Sequence, residues 1–112
     1  MDIEVREILD QLSDFEIENS LYTGYFVKAH DLLELIQESV QKFIELLPSG
    51  KEIQFMIEQD IWDDDYPRLI LYAIVDLSVD EIIEYMHRFD SEFWHQKSDR
   101  RHHYMSTDTQ FA

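Results

Sequence analysis

Any chemistry in this chain rests on carboxylates and imidazoles. It carries 25 Asp plus Glu, five His and no Cys, which leaves no thiolate nucleophile, thiolate zinc site or disulfide framework. The densest acidic run is Asp60, Asp63, Asp64 and Asp65, with Trp62 and Tyr66 among and beside it. Carboxylate oxygens suit a hard cation, but the run lacks the alternation, central Gly and closing Glu of an EF-hand loop. Aromatic side chains beside charge are common anchors of protein interfaces. We therefore read Trp62, Asp63, Asp64, Asp65 and Tyr66 as a candidate partner-binding epitope, backed by Asp10 and Asp14, and not as a metal site. His95, His102 and His103 with Asp99 are the second group of potential ligands. Their spacing matches no zinc pattern, and no metal is assigned to them. His30 and His87 stand singly among acids and read as surface side chains.

Catalytic signatures are missing. There is no Gly-rich phosphate loop, nucleophile elbow or His-Glu-x-x-His pair, and the only glycines are Gly24 and Gly50. Carboxylate pairs are so frequent that none stands out for acid/base work. We expect no enzyme and no cofactor. The one basic cluster is Lys97, Arg100 and Arg101 with His102 and His103. It reads as charge relief at a helix C-terminus, since a nucleic-acid reader shows a broader basic surface.

The elements that would position these residues belong to one small domain. A chain of 112 residues with 45% hydrophobic content is too apolar for disorder and too short for two cores. No apolar run approaches bilayer length, and Met1-Asp2-Ile3-Glu4 does not resemble a secretory signal, so a cytoplasmic location is expected. The net charge is −16. Residues 1–20 hold seven acids and one base, residues 51–66 six and one, and residues 97–112 two and three. An acidic body of this kind repels nucleic acid and anionic membrane, and it attracts basic partners at long range.

Helical spacing of Val5, Ile8, Leu9, Leu12 and Phe15 predicts an amphipathic helix over 3–17, and residues 1–19 as a semi-independent N-terminal piece. Glu18-Asn19-Ser20 is the break after it. Leu21, Tyr25, Ala29, Leu32, Leu33, Ile36, Val40, Phe43, Ile44 and Leu47 then predict one long helix, weakened at Gly24 and stopped at Pro48-Ser49-Gly50. Alternation at Ile53, Phe55 and Ile57 marks a strand. Leu69 to Val75 is apolar on both faces, as in an internal strand covered on each side or met by a further element, and with the strand before it predicts a hairpin. Ser78-Val79-Asp80-Glu81 is a capping box opening a helix to about Gln96. A weaker alternation predicts a third strand over His102 to Phe111; if it lies parallel beside the second, the crossover through residues 78–96 is right-handed. The order α-α-β-β-α-β gives an α+β fold, two or three helices on one face of a three-stranded sheet.

The stretch Leu71-Tyr72-Ala73-Ile74-Val75-Asp76-Leu77-Ser78-Val79-Asp80-Glu81, followed by Arg88-Phe89-Asp90-Ser91-Glu92-Phe93-Trp94, resembles a group of small, acidic, uncharacterised bacterial proteins. Their pattern is a strand, Leu-Ser-Val-Glu-Glu, and a helix ending in Trp-Trp. Asp80 stands where that pattern has Glu, and Phe93 where it has the first Trp. The resemblance covers about a third of the chain and implies an antitoxin or immunity role. The Phe89, Phe93, Trp94 cluster itself reads as core packing.

These observations lead to the expectation of a non-enzymatic binding protein that neutralises or escorts a basic partner, such as a nuclease-type toxin. A nucleic-acid mimic acting on DNA-binding proteins and a small homo-oligomeric regulatory domain are the alternatives.

Overall fold

The computed structural model describes residues 2–60, 67–97 and 103–112. Helix α1 (Ile3–Gln11) is followed by a two-residue strand β1 (Glu16–Ile17), then α2 (Ser20–His30) and α3 (Leu33–Leu46). Strands β2 (Ile53–Asp60) and β3 (Arg68–Val75) come next, then α4 (Val79–Glu92), a 3-10 turn (Trp94–Gln96) and β4 (Met105–Phe111). The fold is α+β. Among the described residues it has four helices and a four-stranded sheet ordered β1-β2-β3-β4, one strand more than the sequence predicts.

Two local corrections account for the difference. The first predicted helix stops at Gln11, and Glu16 and Ile17 instead pair in parallel with Met56 and Ile57 of β2. Ile17 thereby meets the apolar core that also holds Ile57. The long predicted helix is two. Asp31 takes a left-handed conformation with φ +54°, one that Asp tolerates better than most residues. The Leu32 N–H then donates to the Val27 carbonyl at 3.0 Å, a bond that closes a helix end. With Asp rather than Gly at the break, the sequence carries no strong stop signal there.

The break also changes which side of the helix is buried. The predicted stripe included Leu21, Tyr25 and Ala29, yet α2 buries Thr23, Gly24, Phe26 and Val27. Leu21 and Tyr25 are exposed. Gly24 is the contact between helices: a Cβ there would lie 2.8 Å from Val5 Cγ1 and 3.1 Å from Leu9 Cγ. Its missing side chain lets α1 and α2 approach, which explains a residue that costs helix propensity.

Caps fix the other boundaries. The Asp2 carboxylate accepts from the Glu4 and Val5 N–H groups. The Asn19 side chain accepts from Tyr22 N–H. At α4 both halves of the capping box form, Glu81 N–H to Ser78 Oγ at 3.2 Å and Ser78 N–H to Glu81 Oε1 at 2.9 Å. Hydrogen bonding to Ser78 holds the Glu81 carboxyl below its ordinary value.

Strands β2 and β3 form the predicted antiparallel hairpin, with Ile53 opposite Val75 and Asp60 opposite Arg68. Strand β4 lies parallel beside β3, from Leu69–Met105 to Val75–Phe111. Odd-numbered positions of the sheet face the helices. Leu69, Leu71, Ala73 and Val75 pack with Leu35, Ile36 and Phe43 of α3 and with Ile82, Tyr85 and Phe89 of α4 in one core. The Phe43 and Phe89 rings stack at 3.7 Å, and the Tyr85 hydroxyl donates to the Phe43 carbonyl. Burial holds the Tyr85 phenol well above its ordinary value. Phe93 is buried in the same core and Trp94 packs against it, the packing role expected of that cluster.

Candidate partner-binding site

The other face of the sheet is built from even-numbered positions, because side chains alternate along a strand. Its centre is apolar: Met56 of β2 lies directly opposite Tyr72 of β3, flanked along β3 by Ile70 and Ile74. None of these four belongs to the hydrophobic core or packs against it. Burial along β3 alternates strictly, buried at odd positions and half-buried at even ones. Strand β3 is therefore internal in the sheet but covered on one face only, among the described residues. The two-sided apolar run anticipated a second covering element, and the structure has none there among those residues.

Around the apolar centre stands an acidic rim. Glu58 lies opposite Ile70 and Asp108 opposite Tyr72. Asp60 closes β2 opposite Arg68. At the β1 margin, Asp14 and Glu16 line a hollow of about 310 Å³ with Gln54 and Ile74 and with Phe15, Ile53 and Phe55 from the core side. The face and this margin thus gather five carboxylates (Asp14, Glu16, Glu58, Asp60, Asp108) against one guanidinium, Arg68, among the described residues. Tyr72 registers that field. Burial, then the negative charges of Glu58 and Asp108, hold its phenol above the ordinary value, and it hydrogen-bonds Glu58. Several other bases are engaged on the helices: Lys28 with Asp2 at 2.6 Å, Lys42 with Glu45 and Glu92, and Lys97 with Glu38.

Such a surface offers a flat apolar patch with a tyrosine at its middle, ringed by negative charge. That combination suits a protein surface carrying basic residues around an apolar contact. It offers no nucleophile activated by a base, and among the described residues no three His, Asp or Glu side chains converge as metal ligands.

The residues picked out from sequence fare unequally. Trp62, Asp63, Asp64, Asp65 and Tyr66 lie outside the described residues, as do Asp99 and His102 of the histidine group. Asp14 joins the acidic rim just described. Asp10 does not: it lines a different hollow with Ile3, Arg6 and Leu9. His30, read as a surface side chain, stacks on the Tyr104 ring at 3.8 Å and beside Phe26. Met56, Glu58, Ile70, Tyr72, Ile74 and Asp108 were missed as a group. The signal for them was present, since β3 is apolar on both faces while the even positions of its neighbours are mostly polar.

A second exposed apolar group, Ile3, Leu21, Tyr22 and Tyr25, lies on α1 and α2. No helix of the described residues is long and apolar enough to cross a membrane. No protein family, curated protein or solved structure matches the chain.

Proposed function

We propose that this protein is a non-enzymatic binding protein that takes a basic protein partner on the sheet face that no described helix covers, so neutralising or escorting it. One observation carries this reading: in a chain of net charge −16, an internal strand leaves Ile70, Tyr72 and Ile74 outside the core within an acidic rim. An apolar centre supplies contact energy, and the rim steers a positive partner and sets its register. A toxin that must itself bind nucleic acid has such a positive surface.

The test is capture from the native host at low and high salt with wild-type protein and with Glu58→Gln/Asp60→Asn/Asp108→Asn. A stoichiometric basic protein held by the wild type, released by salt and lost from the variant is the expected result. Equal capture by both proteins removes the sheet face from the proposal. A broad set of DNA-binding proteins on the wild type favours nucleic-acid mimicry instead.

A further inference from the structure

The sheet ends unequally at its two sides. Strand β1 pairs only Glu16 and Ile17 with β2, whereas β4 runs seven residues with β3 on one side and, among the described residues, no strand on the other. The pairing parity of β4 is fixed at both ends. Leu69 N–H donates to the Tyr104 carbonyl at 2.8 Å, and Ala112 N–H to the Val75 carbonyl at 3.0 Å. In a parallel ladder alternate residues bond the neighbouring strand, so the even residues of β4 bond β3. Met105, Thr107, Thr109 and Phe111 turn their N–H and C=O groups to the free edge. Such an edge is a template for another strand. Here one edge donor is already occupied: the Thr109 N–H donates to Asp108 Oδ1 at 2.8 Å.

The two sides flanking this edge differ in chemistry. On the helix side, 100° spacing places Val79, Ile83, Met86 and Asp90 of α4 in one row, away from Glu81, Glu84 and Arg88, which line a hollow against Leu46 of α3. Val79 is 61% and Ile83 50% exposed. Near the start of β4, Asp90 and Trp94 share a hollow of about 340 Å³ with Met105 and Thr107. The Trp94 indole N–H donates to Thr107 Oγ1 at 2.6 Å, which holds the ring beside the edge. On the open side stand Asp108, then Tyr72 one strand in and Glu58 two strands in.

From this geometry we infer that the free edge of β4 receives an extended segment of the partner by strand addition, with residues alternating between basic and apolar side chains. The inference rests on the reading above that the partner is basic, and it specifies how that partner is held. Main-chain bonds form with Thr107 and Thr109. The segment's basic side chains project toward Asp108 and the acidic face, and its apolar ones toward Ile83, Val79 and Trp94. The incoming carbonyl takes the Thr109 N–H from Asp108, and the released carboxylate then pairs with a basic side chain. A second copy of this chain fits poorly, because it brings another −16 to the same edge.

The probe is an eight-residue peptide of strictly alternating lysine and valine, acetylated at its N-terminus and amidated at its C-terminus. It is compared with its block isomer, in which all the lysines precede all the valines, and with the alternating peptide N-methylated at every second residue. Titration of the full chain at low salt, followed by backbone NMR, is the readout. Tight binding of the alternating peptide alone, with the largest shifts at the Thr107 and Thr109 amides, is expected. Thr109→Pro, which removes the outward N–H and the Thr side chain but no ladder bond to β3, should weaken it tenfold or more while far-UV circular dichroism stays unchanged. If that variant does not fold, the N-methylated peptide asks the same question of the wild type. Equal binding of alternating and block peptides, insensitive to Thr109→Pro and N-methylation but lost in Glu58→Gln/Asp108→Asn, overturns strand addition and leaves the basic-partner reading standing. No binding by any peptide at low salt overturns both.

Discussion

The two faces of β3 make the most informative contrast in the molecule. Leu69, Leu71, Ala73 and Val75 point one way and are buried; Arg68, Ile70, Tyr72 and Ile74 point the other and are half-buried. Three of the four residues on the open face are as suited to a core as those on the closed one. What separates the faces is their neighbours. Odd positions of β2 and β4 contribute Ile53, Phe55, Ile57 and Met105 to or against the core, while even positions set only one apolar residue, Met56, opposite Tyr72 and otherwise place Gln54, Glu58, Asp60, Ser106 and Asp108 around it. Hydrophobicity within one strand thus does not decide burial. The cross-strand neighbours decide whether a face closes under helices or stays open beside charge.

The largest effect that sharpens this contrast is on stability. Leu71→Ala empties a fully buried site and should cost about 2–5 kcal/mol, whereas Ile70→Ala, one residue along, should cost about 1 kcal/mol or less. Denaturant midpoints of the two variants measure the asymmetry directly, and equal losses would mean that the open face is a second core. Binding should invert the order. Tyr72→Ala should weaken the captured partner by about 2 kcal/mol, the scale of an aromatic hot spot, with little change in fold. Leu71→Val should leave affinity near wild type.

How much of this was legible in sequence follows the same division. The β2–β3 hairpin, the Ser78–Glu81 capping box and a strand over the C-terminal residues were readable because period and cap residues are local signals, whereas the parallel pairing of β4 with β3 is a long-range choice that such signals do not fix. The split at Asp31 was not, since a left-handed Asp leaves a continuous apolar pattern on both sides. Nor was β1, whose two residues gain their strand character from Met56 and Ile57 some forty positions away. The carboxylates around Tyr72 come from β1, β2, β4 and Asp14, and only Asp14 among them reads as a binding residue from sequence. Acids adjacent in sequence drew attention to residues 60–66, while the acids adjacent in space come from three strands and a turn.

Smaller effects probe the supports of the closed face. Gly24→Ala should destabilise by up to about 2 kcal/mol: crowding the fully buried Val5 and the half-buried Leu9 costs about 1–3 kcal/mol, against the roughly 1 kcal/mol of helix propensity regained. A gain in melting temperature would show that α1 can yield. Ser78→Ala removes the α4 cap and should cost about 1 kcal/mol, read from the denaturant midpoint.

The smallest expected effect is on pH dependence. The folded pKa of Tyr72 is raised, so its contribution to stability is complete below the unfolded value of about 10 and is lost as pH rises through the folded value. Tyr72→Phe should flatten part of the alkaline fall in stability and leave the part due to Tyr85 in place. Denaturant titrations between about pH 9 and pH 12 separate the two, and an unchanged profile would remove the rim's field from Tyr72.

The most direct test of the central claim is to add the captured basic partner to isotopically labelled protein and map the backbone amide shifts. The account predicts the strongest changes at Met56, Glu58, Ile70, Tyr72 and Ile74 and along β4 at Thr107 and Thr109, with α1 and α2 quiet. Changes confined to Ile3, Leu21, Tyr22 and Tyr25, with the open face of the sheet unmoved, would contradict it.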